Sequence, residues 1–276
     1  MVCRDLTPSP QRVAIMRWTA RMGAVTAEAL ADRTDVTVAS ARSRLGALAR
    51  GGWLSRARPL ANRPALYTAT RVGLRVSGLR GLDACRVSAT NAQHLIVCAW
   101  VAAMLERCYP DHRVLGEREL RRDERECGRT LASARLGTAG GKDRQLLHRP
   151  DLVLSPLTCA QGEDDGAVAD GEDCDDDGGR GDGRNDRRGH GYEYGYGDRM
   201  AIAVEVELTI KAPERLTEIC RAWARCQTVG GVLYIAPPEV QRALERAIER
   251  AQANEQIVVV GLDALGSAQS TVPSGA

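Results

Sequence analysis

The sequence predicts a mixed α/β protein in two parts, a winged helix-turn-helix over residues 1–82 and an α/β domain over residues 90–265, the latter interrupted by an acidic insert at 159–199. Three observations predict this. Residues 1–82 hold fourteen arginines against four acidic residues, a net of +10, while 83–158 come to +2, 159–199 to −8 and 200–276 to −2, so the near-neutral total hides a basic head. Beyond the head, apolar patterns follow in the order helix, strand, strand, strand, helix, strand. Between the second and third of those strands lie thirteen acidic residues and eleven glycines, with Val168 the only branched aliphatic. Such a segment cannot bury enough apolar surface to offset the entropy of ordering, so it is expected to be disordered.

Composition narrows the setting. No apolar run is long enough to span a bilayer, and MVCRDLTPSPQR has no apolar core behind its basic start. A cytoplasmic protein without a membrane partner is expected. The nine cysteines include no CxxC pair and no Cys/His cluster at zinc spacing, which points to reduced thiols and away from a structural zinc. Cys98, Cys220 and Cys226 fall on helical apolar faces and read as small buried residues. Lys142 and Lys211 are the only lysines beside 36 arginines. With such a bias, the placement of the arginines carries the argument and their abundance does not. A basic head points to an anionic polymer.

In PSPQRVAIMRWTARMG, Val13, Met16, Trp18 and Met22 recur at roughly helical spacing after a Ser-Pro start. VTAEALADRTD follows as a short helix capped by Thr26. TVASARSRLGALARGGW is a third helix, capped by Thr37, striped by Val38, Ala41, Leu45 and Leu48, and ended by Gly51-Gly52. WLSRARP and PALYTAT are two short strands around Leu60–Arg63, and a further helix begins after Thr70. Three helices and a hairpin in this order describe a winged helix-turn-helix, whose third helix enters the major groove of double-stranded DNA. Ser40, Arg42, Ser43 and Arg44 then face outward, and the hairpin carries Arg56, Arg58 and Arg63 to phosphates or the minor groove. Arginine suits both tasks. The same residues also read as solvated charges of an arginine-biased chain, and such modules also serve protein contacts.

A connector from Leu79 to Asn91 leads to NAQHLIVCAWVAAMLERCYPD, an apolar helix ended by Pro110. HRVLGERELRRDERE begins as a strand at Val114 and Leu115 and turns highly charged, and a loose segment runs through Lys142. HRPDLVLSP is a strand introduced by Pro150, and RMAIAVEVELT is the next strand. KAPERLTEICRAWARCQ is a helix with Pro213 in its first turn and a stripe of Leu216, Ile219, Cys220, Trp223 and Cys226. GGVLYIAPP, PEVQRALERAIERAQAN and EQIVVVGL complete the domain as strand, helix and strand, and the tail SAQSTVPSGA is expected to fray.

The central question is what Glu205 and Glu207 do. Without the insert, the two strands that flank it make an ordinary hairpin, with Asp151 at the start of one and Glu205 late in the other. Alternation sends Ile202, Val204, Val206 and Leu208 to one face and Ala203, Glu205, Glu207 and Thr209 to the opposite one, with the two glutamates roughly 7 Å apart. Asp151, Glu205 and Glu207 could then hold a magnesium ion, which takes carboxylates, waters and phosphate. Such an ion polarises a phosphodiester and helps generate hydroxide, and Lys211 could stabilise the charge that builds on phosphate. The competing reading is that both glutamates are ordinary solvated residues of a half-exposed strand. His94 opens the apolar helix, where it could approach the site but reads first as a partly buried, hydrogen-bonded structural residue. His190, in GHGYEYGYG, stands alone in low-complexity sequence.

The order of elements, with Pro150-Asp151 on the second strand and Glu205-x-Glu207 on the third, resembles the PD-(D/E)xK nuclease-like fold. In that pattern Asp151 matches the PD aspartate and Glu205 the next acidic residue, while Glu207 takes the place where lysine is usual and some members carry glutamate. The chain also resembles the bacterial replication-relaxation family through LYTATRVGLRVSG, Asn91–Leu95, GERELRRDE, HRPDLVL, AVEVELTIKAPERL and VLYIAPP. The resemblance implies a DNA-binding protein acting in replication, mobilisation or regulation of a plasmid or related element, with replication or mobilisation proteins as partners. Two alternatives stay open: a non-catalytic factor whose nuclease-like domain is a scaffold, or a magnesium-dependent endonuclease or nickase. A homodimer also stays open, although no heptad run argues for one.

Overall fold

Hydroxyl caps, glycines and prolines divide the chain into its elements. The computed structural model describes residues 8–79, 81–138, 145–157 and 200–267, and the chain is mixed α/β. The first part comprises α1 (Pro10–Met22), β1 (Ala24–Val25), α2 (Ala27–Thr34), α3 (Val38–Arg50), β2 (Leu54–Ala57), β3 (Leu66–Ala69) and α4 (Arg71–Val76). Thr26 Oγ1 accepts from Ala29 N at 3.0 Å, Thr37 Oγ1 from Ser40 N at 3.2 Å and Thr70 Oγ1 from Gly73 N at 3.1 Å, so three helices start on hydroxyl caps. Gly51 closes α3 and Gly52 takes the positive φ that turns the chain into β2. The strands form an antiparallel sheet in the order β1-β3-β2. Met16, Leu30, Leu45 and Leu48 are sealed between helices and sheet, whereas Val38, expected in the same stripe, is 37 % exposed because the first turn of α3 overhangs the core.

The second part comprises α5 (Ala92–Cys108), β4 (His112–Gly116), α6 (Glu117–Cys127), β5 (Ala134–Thr138), β6 (Gln145–His148), β7 (Leu152–Pro156), β8 (Ile202–Val206), α7 (Pro213–Ala224), β9 (Gly231–Ala236), α8 (Pro238–Ala251), β10 (Ile257–Gly261) and α9 (Leu262–Ser267). Five of its strands form one sheet in the order β10-β9-β8-β7-β4. β7 pairs antiparallel with β4 and with β8, while β8, β9 and β10 run parallel, as the intervening helices α7 and α8 require. The insert residues 159–199 and the tail lie outside the described residues, apart from the paired strands that flank the insert: Leu152 lies opposite Val204 and Leu154 opposite Ile202.

Both faces of this sheet are covered. Leu152, Leu154, Val204, Val206 and Ile235 join a core with Val97, Val101 and Leu105 of α5. Val153, Ala203, Val232 and Tyr234 join another with Leu216, Ile219 and Trp223 of α7 and Leu244 and Ile248 of α8. The alternation along β8 therefore sorts two buried faces. Glu205 and Glu207 are 5 % and 6 % exposed, which removes the reading of solvated residues on a half-exposed strand.

Two further expectations change. The segment expected to be loose contains β5, which pairs antiparallel with β6 around an irregularity between Arg135 and Gly137. The highly charged stretch is α6, and its buried residues include Glu119, Asp123 and Glu124. Their charges are paired: Arg113 binds Glu119, Arg122 reaches Asp123 at 2.6 Å, and Arg149 Nε donates to Glu124 Oε2 at 3.0 Å. Arg21 of α1 lies 3.5 Å from Glu119, so this network joins the two parts. The α5 core is also continuous with that of the first part, through Ile15, Trp18, Leu30 and Leu45.

Candidate functional site

The site begins with the backbone of β8. Asp151 directly precedes β7, and its Oδ2 accepts from Val206 N at 2.8 Å where the ladder between the two strands ends. The carboxylate thus satisfies a buried donor that the sheet leaves unpaired. Its other oxygen, Oδ1, lies 2.9 Å from His94 Nε2, in the first turn of α5. Cys98 stands one helical turn on, with Sγ 3.3 Å from the same imidazole nitrogen.

Glu205 projects from β8 towards α7. Its Oε1 accepts from Trp223 Nε1 at 3.2 Å and lies 2.7 Å from His148 Nε2 at the end of β6. Glu207 sits one residue past β8 and donates its backbone N–H to Ile235 O at 3.0 Å. Its carboxylate pairs with Lys211, which lies in the loop before α7. The side chains of His94 and Lys211 are 39 % and 40 % exposed, so a buried acidic floor has an accessible rim.

Four residues expected to act together, Asp151, Glu205, Glu207 and Lys211, therefore lie at the same end of the inner strands β7 and β8. The three carboxylates have separate basic partners: His94, His148 and Lys211 respectively. Burial pushes the Glu205 carboxyl above its ordinary 4.5, and the Asp151 charge adds to this while His148 and Lys211 oppose it. The bond to Asp151 raises the His94 imidazole above 6.5, with the charges of Asp151, Glu207 and Glu205 assisting against burial. Burial lifts the Cys98 thiol well above 9.0, and Asp151, Glu205 and Glu117 lift it further. Every one of these shifts follows from a negative, poorly hydrated pocket that favours bound positive charge.

Sequence reasoning missed His148, Trp223 and Cys98 as members of this site. A signal existed for the first: His148, one of the chain's four histidines, stands in HRPDLVL three positions before a candidate ligand, and so scarce a titratable residue there invites attention. His94 is partly buried and hydrogen-bonded, as expected, and its partner is the site aspartate.

Among the described residues, one group of three offers ligand atoms within 4.8 Å of one another: His94, Cys98 and Asp151. The trio expected to hold magnesium, Asp151, Glu205 and Glu207, is not such a group among the described residues: of the three carboxylates only Asp151 belongs to one, and its companions there offer a nitrogen and a sulfur.

The residues expected to contact DNA are gathered on α3 and the β2–β3 hairpin. Arg42, Ser43, Arg56, Arg58 and Arg63 are exposed, and Ser40 and Arg44 are half-buried. Arg42 lies 3.6 Å from Glu28, an exposed pair of little energetic weight that a phosphate can displace. Compared with family models, curated proteins and solved structures, the chain matches none. Among the described residues, no helix is long and apolar enough to cross a membrane.

Proposed function

We propose that the chain is a bacterial DNA-binding protein of the replication-relaxation type, whose second part is a PD-(D/E)xK-like site that cleaves phosphodiester bonds during replication or mobilisation of a plasmid or related element. The observation that carries the reading is the gathering of Asp151, Glu205, Glu207 and Lys211 where β7 begins and β8 ends. The helix, short strand, helix, helix, hairpin order with a β1-β3-β2 sheet supports a winged helix-turn-helix reading of the first part. The β10-β9-β8-β7-β4 sheet, with α5 on one face and α7 on the other, supports a nuclease-like reading of the second.

In this reading α3 docks in the major groove, with Arg42, Ser43 and Arg44 towards base edges and phosphates, while Arg56, Arg58 and Arg63 of the hairpin grip the backbone. Asp151 with Glu205 or Glu207 would hold a divalent cation, which supplies Lewis acidity and a water of lowered pKa. Lys211 stands at the rim, where its ammonium group meets charge developing on a phosphate. His94, also at the rim, is bonded to Asp151 and fixes the orientation of that carboxylate.

Supercoiled plasmid incubated with the protein and Mg2+ or Mn2+ tests the reading. Nicking that disappears in Asp151→Ala and Glu205→Ala is expected. Folded protein that leaves the plasmid intact with every cation overturns it. A second reading, a non-catalytic DNA-binding factor, is favoured by one observation: Glu205 is sealed inside, with Oε1 already engaged by His148 and Trp223. DNA titrations across salt concentrations test the head separately. Arg42→Ala with Arg44→Ala is expected to weaken binding about tenfold or more and flatten the log–log salt slope by up to about two.

A further inference from the structure

We propose that His94 Nε2, Cys98 Sγ and Asp151 Oδ1 form a site for a divalent transition cation of the zinc class. This deepens the reading above, since it names the cation held beside the acidic cluster. Three features carry the inference. First, His94 and Cys98 are four residues apart on α5, so one helix face presents an imidazole and a thiol side by side. Second, Asp151 meets them from another element and is fixed in place by Val206 N at 2.8 Å, which leaves Oδ1 turned to the imidazole. Third, the spacing is close to a coordination sphere. Zinc bonds of about 2.0 Å to N and O and about 2.3 Å to S place tetrahedral ligands roughly 3.3–3.5 Å apart. The observed separations are 2.9 Å for Nε2 to Oδ1 and 3.3 Å for Sγ to Nε2, and all three atoms lie within 4.8 Å of one another, so a modest side-chain rearrangement admits the ion.

Donor chemistry selects the cation. A thiolate and an imidazole are preferred by Zn2+, Co2+ or Fe2+, whereas Mg2+ holds oxygen ligands and sheds water reluctantly. Three protein ligands leave a fourth position, as in catalytic rather than structural zinc sites. His94 and Asp151 are both partly accessible, so water or a phosphate oxygen could reach an ion held there. The hydrogen bond from Val206 acts on the aspartate as an outer support that fixes its orientation. On binding, the Cys98 thiol proton would pass to solvent and His94 would bind as the neutral ring with its proton on Nδ1, Nε2 offering its lone pair, without any change of oxidation state.

The test uses the full chain, stripped with a chelator and titrated with Co2+. One equivalent is expected to bind with a thiolate-to-cobalt charge-transfer band in the near ultraviolet and tetrahedral visible bands. Zn2+ is expected to displace it, while a hundredfold excess of Mg2+ is not. Cys98→Ala is expected to abolish the charge-transfer band, and His94→Gln to weaken affinity at least tenfold. Cys98→Ser serves if the alanine variant misfolds, since it retains size and loses the sulfur band. The proposal is overturned by a thiolate band that persists in Cys98→Ala or Cys98→Ser, by its absence from the wild type, or by equal competition from Mg2+. Plasmid nicking supported by Mg2+ with no such cobalt site overturns the proposal and leaves the nuclease reading standing. Cobalt binding as described, with no cleavage under any cation, supports the proposal and removes the nuclease reading.

Discussion

Asp151 holds two structures together with one carboxylate. Oδ2 serves the backbone of β8 and Oδ1 serves His94, so neither oxygen can be replaced by a donor without loss. Asp151→Asn turns one oxygen into an NH2 group, which either orphans the Val206 N–H or, turned to His94, keeps a hydrogen bond but loses the charge of the pair. We expect a loss of about 1–3 kcal/mol in urea-induced unfolding, and Asp151→Ala is expected to exceed it. A different constraint acts at Gly73, on α4. A Cβ there would overlap the Trp53 carbonyl oxygen, which already accepts from Thr70 N and Thr70 Oγ1. Gly46, inside α3, meets only the far end of Arg50 at 3.4 Å. Opposite outcomes follow from the same substitution. Gly46→Ala is expected to stabilise by about 0.5–1 kcal/mol, and Gly73→Ala to lower the melting temperature by several degrees; equal effects at the two positions in thermal unfolding would contradict this.

At the scale of elements, much was legible because local chemistry decides it. Thr26, Thr37 and Thr70 each stand before an apolar run and each caps a helix; Gly51-Gly52 ends one. The adjacency of Asp151 to Glu205 was also legible, since two strands flanking a long polar excursion pair most simply with each other. What stayed hidden depends on remote partners. α6 has no readable apolar stripe because its buried face is charged and answered by Arg113, Arg122 and Arg149. β1 has two residues, too few to show a period. His148 and Trp223 reach Glu205 from elements that only the fold brings near. The end of α5 gives a prediction of its own kind. Glu106 accepts from Trp18 Nε1 at 3.1 Å and pairs with Arg33, and burial nonetheless lifts its carboxyl above the ordinary 4.5. The folded state therefore keeps a proton that the unfolded chain releases at lower pH, so stability falls as pH rises from about 4.5 through the folded value. Glu106→Gln is expected to flatten that fall while still accepting from Trp18; an unchanged slope in pH-dependent denaturation would count against it.

Across the whole molecule, one apolar cluster runs from α1 and α2 through α5 into the sheet, and the Glu119 network crosses the same junction from Arg21. Cutting between the two parts would expose Trp18, Leu30 and Val101 together with buried charge. We therefore expect a single calorimetric transition for the described body, with calorimetric and van't Hoff enthalpies in agreement; two resolved transitions would show that the parts fold independently. The hairpin of β7 and β8 has a practical corollary. Leu154 faces Ile202 across the pair, so the points where the polypeptide departs and returns are adjacent. Splicing a short turn across that gap leaves the pairing register untouched and removes a large closure entropy, worth about 2 kcal/mol. The same doorway is where a fluorescent reporter can be grafted without disturbing the acid cluster a few residues away.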